Sequence, residues 1–221
     1  LSGRAIDVYD NAMFIIALDC LLEMAPDSPQ ASRWKSLREG IERNVRAHLW
    51  DVKRQKFIPH IYPEKSPIPE GFDELAIHYH GGTAIAIEAG LLSKDEIRTV
   101  NAQMLENVRL SGMPSIGLTL YPVYPDGFFH GGMSKAYLYQ NGGDWTWFGG
   151  RMIQQLVVNG MVEEAYAEIH PMIERVIQND GFYEWYGRGG VPSGSGNFKG
   201  SAGVLSKAIE LLRDWAEKNK S

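Results

Sequence analysis

Residues 143–178 read GDWTWFGGRMIQQLVVNGMVEEAYAEIHPMIERVIQ, and this stretch decides the fold class. Its first part, 143–158, is poor in charge and carries the pair Gly149-Gly150. Its second part, 161–178, is amphipathic, with glutamates between apolar residues at helical spacing. A helix with small residues on most sides belongs inside a fold; an amphipathic helix belongs on its surface. The two are joined by a very short turn, so the stretch predicts an inner helix followed by an outer one.

The same alternation extends in both directions. Helices are predicted over 6–25, with Ile6, Met13, Ile16, Leu18, Leu21 and Leu22 apolar, and over 30–49, with Trp34, Leu37, Ile41, Val45 and Leu49 at helical spacing. The turn Pro26-Asp27-Ser28-Pro29 separates them. A third helix is predicted over 73–91, with Gly81-Gly82 and the small residues Ala84, Ala86 and Ala89. A fourth, over 94–110, opens on Ser93 with Glu96 three residues on, the pattern of a capping box. The seventh is predicted over 200–217. Between them lie a hairpin or extended loop from Trp50 to Tyr62, the proline-rich Pro63–Pro69, an irregular stretch over 111–141 and a glycine-rich loop over 180–199.

Short and long connections alternate. The expected fold class is therefore all-α: helical hairpins, inner and outer, around an axis, as a single domain over 1–221. Short turns gather at one end and long loops at the other, where function tends to sit on a rigid scaffold. A helical-repeat solenoid is the competing architecture, but no sequence self-similarity accompanies the alternation.

Composition narrows the partners. The chain of 221 residues is 44 % hydrophobic and 22 % charged, with a formal net charge of −5. It has no basic stripe, which argues against nucleic acid. No apolar run is long enough to span a membrane. The first residue is Leu1, so the lack of a signal-peptide pattern assigns no compartment. The single cysteine, Cys20, lies in an apolar helical stretch and is expected to be a buried thiol.

The long loops hold the polar and aromatic residues. The first offers His60, Tyr62, Glu64, Glu70, Asp73, Glu74, His78 and His80; the histidines two apart do not converge as metal ligands would, and most of these groups are expected to be solvated or bonded to the loop. The second ends in Tyr137-Leu-Tyr-Gln140-Asn141-Gly-Gly-Asp144-Trp145-Thr-Trp147-Phe148. Aromatic faces stack on sugar rings, amides and carboxylates bond hydroxyls, and glycines permit close approach. Trp147 and Phe148 are equally readable as core, and Asp144 as a helix N-cap. The third contains Phe182-Tyr183-Glu184-Trp185-Tyr186-Gly-Arg188. A carboxylate in such company is partly desolvated, which suits a general base. The competing reading of Glu184 is a solvent-facing residue or a partner of Arg188.

On these residues the chain resembles the six-hairpin glycosidases. It is most similar to glucoamylase and glycogen-debranching glucosidase domains, with disaccharide phosphorylases as cousins. Residues 117–148, from Gly-Leu-Thr-Leu-Tyr-Pro to Tyr-Gln-Asn-Gly-Gly-Asp-Trp-Thr-Trp-Phe, resemble the family's "G-L-x-T-L-x-P … Y-x-N-G-x-x-W-P-W" stretch. The chain departs from it with Asp144 before the first Trp and Thr146 after it, and Gly200-Ser201-Ala202-Gly203 opens a closing helix without the family's aromatic signature. That version leans toward the phosphorylases.

The resemblance implies an (α/α)6 barrel, of which about seven helices would be the C-terminal half, and an inverting hydrolase of a glycoside, α-glucosidic by its nearest members. Glu184 would be the base. Tyr137, Gln140, Asn141, Trp145, Trp147, Tyr186, Arg188 and His78 would hold the sugar. Asp144 would serve in the site, and Asp144 or Asp73 would be the fallback acid if the family's acid does not lie upstream of Leu1. No metal or organic cofactor is implied. The expected partners are a carbohydrate and, across the open edge, the N-terminal half of the barrel or another chain. A phosphorylase of the same fold and a non-catalytic glycan- or protein-binding toroid are the alternatives.

Overall fold

The structure, a computed structural model of the chain, describes residues 4–220. Among the described residues there are seven α-helices: α1 (Val8–Met24), α2 (Ala31–His48), α3 (His80–Glu88), α4 (Lys94–Ser111), α5 (Thr146–Val158), α6 (Val162–Gln178) and α7 (Lys199–Lys218). Helices α1, α3, α5 and α7 pack side by side in that order as an inner row, and α2 and α6 lie outside it against α1 and against α5 and α7. Side chains tie α4 into the outer row: Arg46 of α2 donates to Glu96 at 2.7 Å, and Asn101 donates to Glu168 of α6 at 2.7 Å. The fold is the all-α arrangement of helical hairpins that the alternation predicts.

Small residues set the inner row. From His80 to Ile87 every residue of α3 is buried, so the helix has no outer face. A Cβ at Gly150 of α5 would come within 2.9 Å of Val204 of α7, so only glycine allows that approach. Ile15, Ile85, Met152, Ile153 and Leu156 are completely enclosed in the resulting core. Each such side chain contributes about 1.5–3 kcal/mol relative to exposure. In the outer row the local signals act as expected. The Ser93 hydroxyl accepts from Glu96 N–H, Glu96 accepts from Ser93 N–H at 2.8 Å, and Gly112 ends α4 in the left-handed region at φ 70°.

Three expectations are corrected. The third helix begins at His80, not near 73: Glu74–Ala76 form one 3-10 turn, and the chain then extends because His78 pairs with Tyr121 through bonds of 2.7 and 3.1 Å. The fifth begins at Thr146, not 143, because Asp144 is held extended between Leu118 and Tyr186. Cys20 is exposed, since α1 buries the face bearing Val8, Ala12, Ile15 and Leu18 and turns Cys20 away from it. The segment after α2 is the expected hairpin, β1 (Trp50–Asp51) paired antiparallel with β2 (Lys56–Phe57). A second hairpin pairs β3 (Trp185–Tyr186) with β4 (Pro192–Ser193).

The row is open at both ends. Phe14, Leu21 and Met24 of α1 are exposed, as are Ile209 and Trp215 of α7. The latter two line an apolar groove of about 680 Å³ between α6 and α7. Among the described residues no helix is long and apolar enough to cross a membrane.

Candidate active site at the loop end

The connections 25–30, 89–93 and 159–161 lie at one end of the helices; 49–79, 112–145 and 179–198 lie at the other, where α1, α3, α5 and α7 begin. The long loops interlock. Besides the His78–Tyr121 and Asp144–Tyr186 pairs, the first loop joins the segment ahead of α1 through Ile6 and Ile61. Arg188 donates from Nε to the Ser111 carbonyl at 2.9 Å.

Glu184 precedes β3 and is half-buried. Its backbone N–H donates to the Ser195 carbonyl at 2.9 Å, and its Oε2 accepts a long bond of 3.4 Å from Ser195 N–H. Gly194, at φ 72°, lies so close that a Cβ there would meet the carboxylate. On another side stands Tyr139, whose hydroxyl is pushed up in pKa by burial and then by the Glu184 charge and hydrogen bond. The loop thus fixes this carboxylate while leaving it accessible. Arg188 does not pair with it; its guanidinium covers the Tyr137 ring at 3.5 Å.

Asp144 has a different place from the one expected. It is fully buried, accepts from the Ser115 hydroxyl at 2.9 and 2.7 Å, and forms an ion pair with Arg175 of α6 at 2.8 Å. Arg175 also donates to Thr146 at 2.7 Å and lies over the Tyr186 ring at 4.0 Å. With no exposed surface, Asp144 cannot meet a substrate; nor is it an N-cap, since Trp145 occupies that position without a side-chain cap bond. Its role is to pin the second loop to α6.

Three other expected sugar ligands, Asn141, Trp145 and Tyr186, are enclosed within the fold. Asn141 is fully buried, accepting from Tyr124 N–H at 2.9 Å and donating to the carbonyls of Tyr124 and Lys135. Tyr186 is fully buried beneath Arg175. Trp145 is buried and donates from Nε1 to the Tyr139 carbonyl at 3.2 Å. Trp147 is half-buried under Arg151 at 4.4 Å. His78, two residues ahead of α3, lines a separate shallow hollow with Arg98 and Gln103 of α4, and burial pushes its pKa down to about 4. Asp73 is exposed and lines none of these hollows. Tyr137 and Gln140 remain accessible.

Two adjoining hollows of about 160 and 100 Å³ open among the starts of α1, α3 and α5. Both include Tyr79 and Gln140; one adds His60 and Tyr124, the other Tyr9 and Phe148. Behind His60 stands Glu74. Its Oε1 accepts from His60 Nδ1 at 2.8 Å, Tyr62 Oη at 2.8 Å and Tyr124 Oη at 2.6 Å. Burial works to raise the Glu74 pKa, but the three donors outweigh it and hold the carboxyl below its usual range. Of this cluster the sequence names His60, Tyr62 and Glu74 as loop polar groups and misses Tyr9, Tyr79 and Tyr124. Glu74 and Tyr124 lie 50 residues apart, and nothing local announces their bond.

No protein-family model and no curated protein matches the chain. Among solved structures, it is similar to a GH63 mannosylglycerate hydrolase from Thermus thermophilus in complex with Tris and D-glycerate, at 18% identity and a TM-score of 0.67, over 95% of this chain and 46% of that one. The same enzyme in complex with glucose gives 17% identity and a TM-score of 0.63, over 95% and 48%. A protein described as a sialidase gives 12% identity and a TM-score of 0.61, over 85% and 17%. The chain thus spans about half the length of the mannosylglycerate hydrolase, and shares with these structures the fold of helical hairpins.

Proposed function

We propose that the chain is part of a glycoside hydrolase, with Glu184 as the general base of an inverting reaction. One observation carries this reading. Glu184 is an accessible carboxylate held among the interlocked loops at the end where the inner helices start, beside Tyr139, whose neighbour Gln140 lines the hollows. The names of the similar structures, a mannosylglycerate hydrolase and a sialidase, support it. The resemblance of 117–148 to glucoamylase and debranching domains supports an α-glucosidic substrate.

In this reaction Glu184 takes a proton from a water molecule. The water oxygen bonds to the anomeric carbon as the bond to the leaving oxygen breaks, and a general acid protonates that oxygen. Inverting enzymes hold the two carboxyl groups roughly 6.5–9.5 Å apart to admit the water. Asp144, enclosed and ion-paired, and Asp73, outside the hollows, do not suit the acid, so we assign it to a segment beyond these 221 residues. The same segment, the rest of the barrel, would cover the apolar open edges of α1 and α7.

The test is sugar release from α- and β-linked disaccharides by the natural-length polypeptide, with and without phosphate, reading the product anomer. Phosphate-independent release with inversion is expected. Release that requires phosphate would replace hydrolysis by phosphorolysis, and binding without release would leave a glycan-binding toroid.

A further inference from the structure

Asp144 is the middle rung of a short ladder at the loop end. Its backbone bridges antiparallel to Leu118 on one side and to Tyr186 on the other, and it exchanges both bonds with Tyr186, at 2.9 and 2.8 Å. Bonds from Trp145 N–H to the Gly117 carbonyl at 2.8 Å and from Thr119 N–H to the Gly143 carbonyl at 3.0 Å complete the side next to Leu118. A Cβ at Gly117 would collide with the Asp144 carboxylate, so the approach requires glycine. Glu184 immediately precedes β3 and stands two residues before Tyr186. Arg175, in the last turn of α6, lies buried against this ladder. Its Nη1 donates to Asp144 Oδ1 at 2.8 Å, its Nη2 donates to Thr146 Oγ1 at 2.7 Å, and its guanidinium lies over the Tyr186 ring at 4.0 Å. One side chain therefore touches the second loop, the first turn of α5 and the strand next to Glu184.

As a source of stability this arrangement is a poor one. Desolvation of two buried charges offsets most of their attraction, and apolar side chains of similar volume serve such positions as well or better. Two polar atoms at this junction also have no partner among the described residues: Arg175 Nε and Tyr186 Oη, both buried. What the pair supplies is direction. A guanidinium is a rigid fork, so it fixes Asp144 and Thr146 relative to each other and to α6 in a way that apolar contacts do not. A general base must meet its water molecule at a set distance and angle. A displacement of about 1 Å can cost on the order of 10²-fold in rate.

We propose, resting on the reading of Glu184 as the base, that Arg175 is a positioning residue for it: the buried Arg175–Asp144 pair holds β3, and with it the Glu184 carboxylate, in place for the reaction rather than stabilising the fold. Arg175 touches no substrate and acts through Asp144 and Tyr186. Turnover and stability then part company when both charges are removed together.

The test compares the natural-length wild type with the double variant Asp144→Val, Arg175→Met, using the disaccharide of the α- and β-linked panel that the wild type cleaves fastest. Either single change strands a buried charge and should lower the melting temperature, and the double variant should recover it. The hydroxyls left behind can turn to backbone groups; Ser115 already accepts from Gly117 N–H at 3.2 Å. In the double variant kcat should fall by about tenfold or more, with KM held within about twofold. A double variant that melts with the wild type and keeps its kcat would overturn the proposal. Arg175→Lys keeps the charge but loses the fork, and it decides the matter if the double variant fails to fold. It should lower kcat in the same way, and a wild-type kcat there would equally overturn the proposal. Hydrogen exchange over 182–197, read by mass spectrometry, should quicken about tenfold or more in the double variant while α1 and α3 are unchanged. If the wild type cleaves nothing, Glu184 loses the role of base, and the exchange alone decides whether Arg175 holds its loop; an unchanged rate would show that it does not.

Discussion

Glu184 and Asp144 sit on neighbouring rungs of one loop ladder and use their charge in opposite ways. Asp144 pairs its backbone with Tyr186, two residues beyond Glu184, but its carboxylate is enclosed with Arg175 and Ser115. Removing one member of a buried ion pair leaves the other charge uncompensated. Asp144→Ala is therefore expected to cost about 3–5 kcal/mol in urea-unfolding experiments. A loss under about 1 kcal/mol would remove Asp144 from this structural role. The two carboxylates were not equally legible. Glu184 lies among the aromatic residues Phe182, Tyr183, Trp185 and Tyr186, so its partly desolvated setting is a local property of the chain. The Asp144 setting depends on Arg175, 31 residues on, in a helix whose pattern reads as surface. The Glu74 cluster was hidden in the same way.

At the scale of elements, the contact between α4 and α6 buries a carboxyl group. Glu168 of α6 is buried against α4, accepts from Asn101 at Oε1, and leaves Oε2 without a partner among the described residues. Burial, with a smaller push from Glu164, raises its pKa to about 7. The folded state therefore binds this proton more tightly than the unfolded state does. Its contribution is most favourable below the unfolded value near 4.5, is lost as pH rises through about 7, and is level above that. The full loss is on the order of 3 kcal/mol. Thermal melts at pH 5 and pH 8 should show it, and Glu168→Gln should flatten the difference; an unchanged slope in that variant would place the pH dependence elsewhere. Helix periodicity and the Ser93–Glu96 box are near-neighbour signals, which is why the bounds of α4 and α6 could be read from sequence. The starts of α3 and α5 could not, because strand-like pairing with distant residues Tyr121 and Tyr186 holds the preceding segments extended.

For the whole molecule, the inner row exposes apolar surface at both ends. The groove of α6 and α7 presents Ile209 and Trp215, and α1 presents Phe14 and Met24. Contiguous patches of this kind promote association. The 221-residue chain alone is expected to self-associate in sedimentation velocity, and Ile209→Asp with Trp215→Asp should reduce this without lowering helicity. A concentration-independent monomer would contradict the proposed open edge. The helical-hairpin order was readable because inner and outer helices differ in charge and in small residues along the chain; what covers the edges is not written in those patterns.

The central claim is that Glu184 performs the chemistry, and it is tested most directly by comparing Glu184→Gln with the wild type in the natural-length polypeptide on its best glycoside. A fall in kcat of about 10²–10⁴-fold with sugar affinity unchanged is the predicted result. A variant that keeps more than about a tenth of the wild-type rate would remove Glu184 from the role of base.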